Sequence, residues 1–373
     1  MRDLIVFGED WGALPSSTQH LIGHLGQSRK VLWVNSIGLR RPTLSWNDVK
    51  RVWQKLSAPR QVKASQSEHA YNANFQVVNP HTLPAPRGRI ERRFASGVLA
   101  KQLRPIIQQA KLNDPILWTS LPTAVDMREQ LDCSALVYYC GDDFSALAGV
   151  DHQTVAEREI ELLQRADLVL AASEQLATRF PKDRTQLLPH GVDYPLFSQA
   201  AERALDLPND GRPIAGFYGS LSEWLNIELL QATIQQLPDW HFVFIGKAVI
   251  DISSLEALPN THFLGERGHA QLPSYVQHWN ASLLPFRDNA QIRACNPLKL
   301  REYLAAGQPI ISTPFPALAP YQSLLQTVTD ANSMVEALQN SLQQGCSPAQ
   351  QQSVMHHTWQ ARAEQVSEWL ETL

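Results

Sequence analysis

The sequence predicts an α/β protein built from two doubly wound domains, and three observations carry that prediction. Short apolar, β-branched runs alternate with longer helical patterns, the rhythm of parallel βαβ units. The rhythm occurs twice, interrupted by LLPHGVDYPLFSQAAERALDLPNDGRP. A length of 373 residues with 44% hydrophobic content also suits two domains better than one.

In the first half, DLIVFG (3–8), KVLWVN (30–35), PILWTS (115–120), ALVYYC (135–140) and DLVLAAS (167–173) read as strands buried on both faces. SSTQHLIGHLG follows the first of them, with Ser16 or Ser17 placed to cap a helix. DHQTVAEREIELLQRA precedes the last, and Thr154 with Glu157 has the spacing of a capping box. The second half repeats the pattern in IAGFYGS (214–220), HFVFIGK (241–247), THFLG (261–265), ASLLPF (281–286) and PIIST (309–313). The last segment, SPAQQQSVMHHTWQARAEQVSEWLETL, reads as helix throughout. The expected divisions are an N-terminal domain over 1–188, a C-terminal domain over 189–352 and a closing helix over 353–373.

The net charge of −4 hides an asymmetry. Residues 1–111 hold 17 Lys and Arg against 6 Asp and Glu, and residues 112–373 hold 15 against 30. Much of the basic excess lies in LRRPTLSWNDVKRVWQKLSAPRQVK (39–63) and PRGRIERRFASGVLAKQLRP (86–105), at spacings compatible with amphipathic helices. Such faces suit an anionic membrane surface or a diphosphate-bearing acceptor; solvated helix faces are the plainer alternative. An acidic chain without a recognised nucleic-acid module argues against nucleic acid. Cys133, Cys140, Cys295 and Cys346 are scattered without Cys-x-x-Cys, which suits free thiols in a reducing cytoplasm. The N-terminus shows no secretion pattern, and no apolar run approaches the ~18 residues of a membrane span. The expected location is the cytoplasm, peripheral on the inner face of the cell membrane.

NPLKLREYLAAGQPIISTP (296–314) carries the most chemistry. Asn296 suits an N-cap and Pro297 the first helical position, leaving the amides of Leu298 and Lys299 free at the positive end of a helix. That is a phosphate seat, and Lys299 adds a formal charge to it. Glu302 follows roughly 7–8 Å along the axis, about the reach from a diphosphate to its ribose hydroxyls. Gly307 ends the helix. A surface ion pair between Lys299 and Glu302 is the competing explanation. Other strand ends support the ligand reading: Gly219-Ser220, Gly246-Lys247, Glu266-Arg267, and the cations Arg287 and Arg293 upstream of the helix.

These stretches together, from VYYCGDDF through ADLVLAASEQL, LLPHGVDYPLF, GFYGSLSEW, HFVFIGK, FLGERG and LPF to NPLKLREYLAAGQPIIST, resemble the bacterial GT-B glycosyltransferases. Glycosyltransferase family 4 and related surface-polysaccharide transferases are the nearest likeness, over roughly residues 130–315. The resemblance implies two Rossmann-like domains facing across a cleft, with the nucleotide sugar in the C-terminal domain and the acceptor in the N-terminal one. It places the ribose on Glu302 and the diphosphate on Lys299 and the amides beside Pro297 and Leu298. Gly219 would lie under the phosphates and Glu266-Arg267 beside the base. The closing helix would cross back to the N-terminal domain. Two departures stand out. Retaining members carry Glu–x7–Glu, whereas this chain has Ala294 at the earlier position, and SLSEWLN lacks the Arg and Lys that many members place after that strand. Lys247, Arg287 or Arg293 would then supply the missing cation.

If transfer inverts the anomeric configuration, it also needs a positioned carboxylate or histidine for the acceptor proton, and the sequence leaves inverting and retaining chemistry both open. Asp142 and Asp143, directly after ALVYYC, are the candidates; a capping or loop role is the alternative. His190 is expected to pack at the domain junction. Glu9, Asp10 and His20 are placed to meet acceptor, and Trp11 and Trp118 either stack on sugar or fill core. No metal-ligand spacing is present, so the expected reaction is metal-independent, with no cofactor beyond the nucleotide-sugar donor. The expected acceptor is a glycan or lipid-linked oligosaccharide. A nucleotide-sugar epimerase and a non-catalytic nucleotide-sugar-binding partner are the rival functions.

Overall fold

A computed structural model describes residues 1–12, 16–37, 74–83, 86–143 and 151–373. The basic stretch 39–63 lies outside the described residues. The chain divides into two compact units, Met1–Pro189 with Arg362–Leu373, and His190–Ala361.

The first unit is built on a seven-stranded parallel sheet in the order β3-β2-β1-β4-β5-β6-β7. Its strands are β1 (Leu4–Phe7), β2 (Val31–Val34), β3 (Phe75–Val78), β4 (Ile116–Thr119), β5 (Ala135–Cys140), β6 (Leu168–Ala171) and β7 (Thr185–Leu187). The five strands legible as apolar runs are buried along their whole length, as a sheet covered on both faces requires. The two missed strands, FQVV and TQL, are the edges. They are short, half-solvated and polar in part, so they lack the continuous apolar signal.

Ser16 caps the helix Ser17–Leu25 by accepting the Gln19 amide at 3.2 Å. The expected Thr154–Glu157 capping box does not form. Asp151 caps the helix His152–Arg165 instead, accepting the Thr154 amide at 3.3 Å, while Glu157 accepts the Gln153 amide group at 3.1 Å. A carboxylate three residues earlier reaches the free amides first. The second basic stretch forms much of the helix Arg89–Ala110.

The second unit carries a six-stranded parallel sheet, β10-β9-β8-β11-β12-β13. Its strands are β8 (Ile214–Tyr218), β9 (His241–Ile245), β10 (Thr261–Gly265), β11 (Ala281–Leu284), β12 (Ile310–Ser312) and the two-residue β13 (Gln326–Thr327). Strand order reverses between β8 and β11, so the loops leaving their carboxyl ends diverge and open a crevice. The site described below stands at that point.

The last 27 residues (347–373) are not one helix. Helices Pro348–Val354 and Trp359–Glu371 are separated where Val192 exchanges backbone bonds with His357 and Trp359, at 2.9 and 3.4 Å. Strand-like pairing at Thr358 demands extended backbone, which interrupts the helix. Residues from Arg362 onward belong to the first unit, where Arg29 donates to Ser367 Oγ at 2.5 Å and to Glu371 at 3.4 Å. Among the described residues, no helix is long and apolar enough to cross a membrane.

Candidate functional site

The helix Leu298–Ala306 sits between β11 and β12, and Gly307 ends it with φ of 79° while its amide bonds Tyr303 O. Pro297, not Asn296, occupies the N-cap position, and no side chain caps it. Asn296 Oδ1 accepts from Arg301 Nη1 at 2.7 Å instead. The first-turn amides are therefore not taken by a cap, which leaves the helix entrance available to an anion.

Lys299 turns its ammonium into the protein, 4.8 Å from the Phe217 ring centroid and 5.6 Å from that of Phe286. Among the described residues it forms no ion pair, so the simple Lys299–Glu302 surface pair is not what this helix builds. Burial pulls the Lys299 pKa below the ordinary lysine value, with Cys295 and Glu302 opposing. A cation held in this way is expensive unless a ligand completes it.

The end of β8 is shaped around that ammonium. Gly219 has φ of 124°, and a Cβ there would fall 2.7 Å from Lys299 Nζ. Gly246, at the end of β9, has φ of 139°, and a Cβ there would fall 2.1 Å from Gly219 O. Both positions need glycine for conformation, and Gly246 needs it for space as well, since the atom struck there is backbone. The two strand ends can approach each other, and an anion can approach their backbone.

Glu302 is buried, with both carboxylate oxygens engaged. Oε2 accepts from the Tyr218 hydroxyl, and Oε1 lies 2.7 Å from His269 Nε2. Tyr303 accepts the Tyr218 amide at 3.3 Å and stands edge-on to the Tyr218 ring. Burial alone would lower the His269 pKa; the bond to Glu302 and its charge, with Asp193, outweigh it and raise the value. Burial, then Glu302, pushes the Tyr218 hydroxyl well up, so it stays a neutral donor.

The remaining anticipated residues divide sharply. Arg287 is held by Glu228 at 2.8 Å and by Leu225 O at 2.9 Å, and Arg293 by Asp288 at 2.6 Å. Each cation is thus paired with a carboxylate of the same unit. Arg267 is engaged by Asp206 at 2.7 Å and the Tyr275 hydroxyl at 2.9 Å, beside an exposed Glu266. Lys247 is exposed and, among the described residues, forms no ion pair. Ser220 lies in the loop after β8. Ala294, buried, ends the helix Ala290–Ala294.

In the first unit, Asp142 and Asp143 follow β5 and part company. Asp143 pairs with Arg179 at 2.7 Å, and Arg179 also faces Glu159 at 4.0 Å. Asp142 still meets solvent, although burial, then the charge of Asp143, raises its carboxyl above the usual range. Glu9 and Asp10 are both engaged, Glu9 accepting from Ser16 Oγ and Asp10 accepting the amide of Ser36, after β2, at 3.1 Å. Trp11 packs on Trp33 at 4.6 Å, and Trp118 is fully buried against Tyr139. His190 is buried 6.3 Å from the Trp359 ring, a packing position.

Reasoning from sequence missed Tyr218, His269 and the Phe217–Phe286 pair around Lys299. Tyr218 and Phe217 looked like plain strand residues. His269 stands four positions past the strand-end Gly265, and that proximity was the available signal.

Residues 212–344 match the model of the glycosyl transferases group 1. TuaH of Bacillus subtilis, named as a teichuronic acid biosynthesis glycosyltransferase, is 26% identical over 227 residues, covering 55% of this chain. The matched region spans 57% of TuaH, little more than half its length. Among solved structures, a sucrose-phosphate synthase from Thermosynechococcus elongatus superposes with a TM-score of 0.72 at 17% identity, over 100% of this chain and 99% of that one. HepE of Anabaena, solved with UDP-glucose, gives 0.65 at 14% identity, over the whole of both chains. At these identities the structures establish the GT-B fold. The relatives do not favour the epimerase or the non-catalytic reading.

Proposed function

We infer that this chain, a GT-B protein whose residues 212–344 belong to the glycosyl transferases group 1, moves a sugar from a nucleoside diphosphate sugar to a surface-glycan precursor. One observation carries the reading: Lys299, without an ion-pair partner among the described residues, places its ammonium where a Cβ on Gly219 would fall, on the helix that also carries Glu302. As the glycosidic bond breaks, the departing diphosphate gains charge, and a desolvated ammonium with aligned amides stabilises that charge. The reading is metal-independent because these groups supply the electrostatic work. Glu302 takes the ribose diol, with Glu266 and Arg267 beside the base. HepE, solved with UDP-glucose, supports a nucleotide sugar of this kind. Asp142 accepts the proton of the acceptor hydroxyl, since Asp143 is already bound to Arg179.

The test is a thermal-shift panel of UDP, GDP, dTDP and CMP. A diphosphate that binds only the native state raises Tm; one at 100 times its Kd adds about 2.7 kcal/mol. A nucleoside diphosphate is expected to stabilise the protein and CMP to do so least. A flat panel would overturn the donor assignment.

The acceptor in this reading is a glycan or a lipid-linked oligosaccharide reached from a membrane surface, with the chain peripheral on the inner face of the cell membrane. The helix Arg89–Ala110 supports it by exposing Ile90 (87%) and Phe94 (62%) beside Arg89 and Arg93. The same helix lines a recess with Ala95, Ser96 and Leu99, near Leu83, Thr123 and Met127. Flotation is expected to find the protein on anionic vesicles at low salt and to lose most of it at 0.5 M salt, where the screening length is only about 4–5 Å. Equal recovery on neutral vesicles would remove the electrostatic argument.

A further inference from the structure

Glu302 is a buried carboxylate, and a carboxylate in that position is useful to a ribose only while it stays ionised and oriented. Burial without compensation favours the protonated form, which donates one proton and loses half its accepting capacity. Two groups bond its oxygens. Tyr218, from the end of β8, donates to Oε2, and His269 meets Oε1 at 2.7 Å. His269 lies in the short turn His269–Gln271 after β10, and its ring is held edge-on by Phe197 at 5.4 Å. Among the described residues, the charged and titratable groups that face it include Glu302 from the helix, Tyr218 through that shared carboxylate, and Asp193 ahead of the helix Tyr194–Ser198.

We propose that His269 is a positioning residue for the nucleotide: by bonding Oε1 of Glu302 it holds that carboxylate in the orientation that meets a vicinal diol. The inference rests on the donor reading above and deepens it, because it assigns recognition of the ribose to a pair rather than to Glu302 alone. His269 does not touch the diphosphate in this scheme, so pentose recognition and phosphate recognition are separable.

The direction of the pH effect follows from the pair. The His269 pKa is raised by Glu302, so the charge-assisted bond is complete below the ordinary histidine range and weakens as pH rises through the raised value. Pyrophosphate serves as the internal control, since it senses Lys299 and the helix amides without a pentose.

The experiment measures Kd for UDP, GDP, 2′-deoxy-UDP and pyrophosphate by calorimetry across pH 5.5–9, on wild type, His269→Ala and His269→Gln. Wild type is expected to bind UDP or GDP, with the ratio of pyrophosphate to nucleotide Kd falling as pH rises. His269→Ala should weaken the nucleotide about tenfold, leave pyrophosphate within about twofold, and bind UDP and 2′-deoxy-UDP alike. His269→Gln, whose amide still donates near Oε1, should recover most of the affinity and lose the pH dependence. Equal loss of nucleotide and pyrophosphate in His269→Ala, or no loss of either, overturns the inference while the donor reading stands. A wild type that binds pyrophosphate but neither nucleotide overturns the donor reading itself.

Discussion

Replacing Lys299 with Met is expected to weaken nucleoside diphosphate binding about 100-fold or more while leaving Tm unchanged or slightly higher. The two halves of that expectation have one cause. The ammonium lies between Phe217 and Phe286 without an ion-pair partner among the described residues, and burial lowers its pKa. A desolvated cation of this kind costs the folded state energy, so an apolar side chain of similar length relieves the fold. The same ammonium in contact with a diphosphate makes a charge-assisted bond worth about 3 kcal/mol, which is the 100-fold. Stability and function are thus set against each other at one side chain. The lowered pKa adds a second sign: diphosphate affinity falls at alkaline pH earlier than ordinary lysine titration would make it. Calorimetry against UDP or GDP, paired with a thermal melt, reads both. A variant that melts normally and binds like wild type would show that the ammonium does not meet the phosphates.

Asp142→Asn is expected to lower kcat between 10²- and 10⁴-fold, the usual range for a positioned base, with Kd for the donor unchanged. Asp142 belongs to the unit Met1–Pro189, whereas the residues assigned to the nucleotide belong to His190–Ala361. Asp143→Asn should behave differently. It gives up the pair with Arg179, whose side chain is 39% exposed, for about 1 kcal/mol of stability, and turnover falls far less. The base acts deprotonated. Because burial and then Asp143 raise the Asp142 carboxyl, the rate should fall on acidification at a higher pH than an ordinary aspartate would give. A labelled-donor transfer assay over pH 4–8 checks this. Full turnover in Asp142→Asn would move the base elsewhere.

The sequence made the interior legible and the margins obscure. The buried parallel strands announced themselves because both faces need apolar residues, whereas FQVV, TQL and the two-residue β13 sit at edges where solvent permits polar side chains. The broken C-terminal helix was missed for another reason: it is interrupted where Thr358 pairs with the distant Val192, and Thr358 caps the helix that follows by accepting the Ala361 amide at 3.1 Å. At the site, residue types were readable and partners were not. Gly219 and Gly246 lie at strand ends, and Lys299 and Glu302 lie on the helix Leu298–Ala306, but pairing is a tertiary fact. It ties Arg287, Arg293 and Arg267 to local carboxylates and brings His269 and Tyr218 to Glu302.

The most direct measurement is a crystal structure of the protein soaked with the nucleoside diphosphate that raises its Tm. Phosphate oxygens are expected within hydrogen-bond distance of the Lys299 ammonium and the amides of Leu298 and Lys299, with the ribose hydroxyls on Glu302. A nucleotide seated elsewhere, touching neither Lys299 nor Glu302, would contradict this assignment.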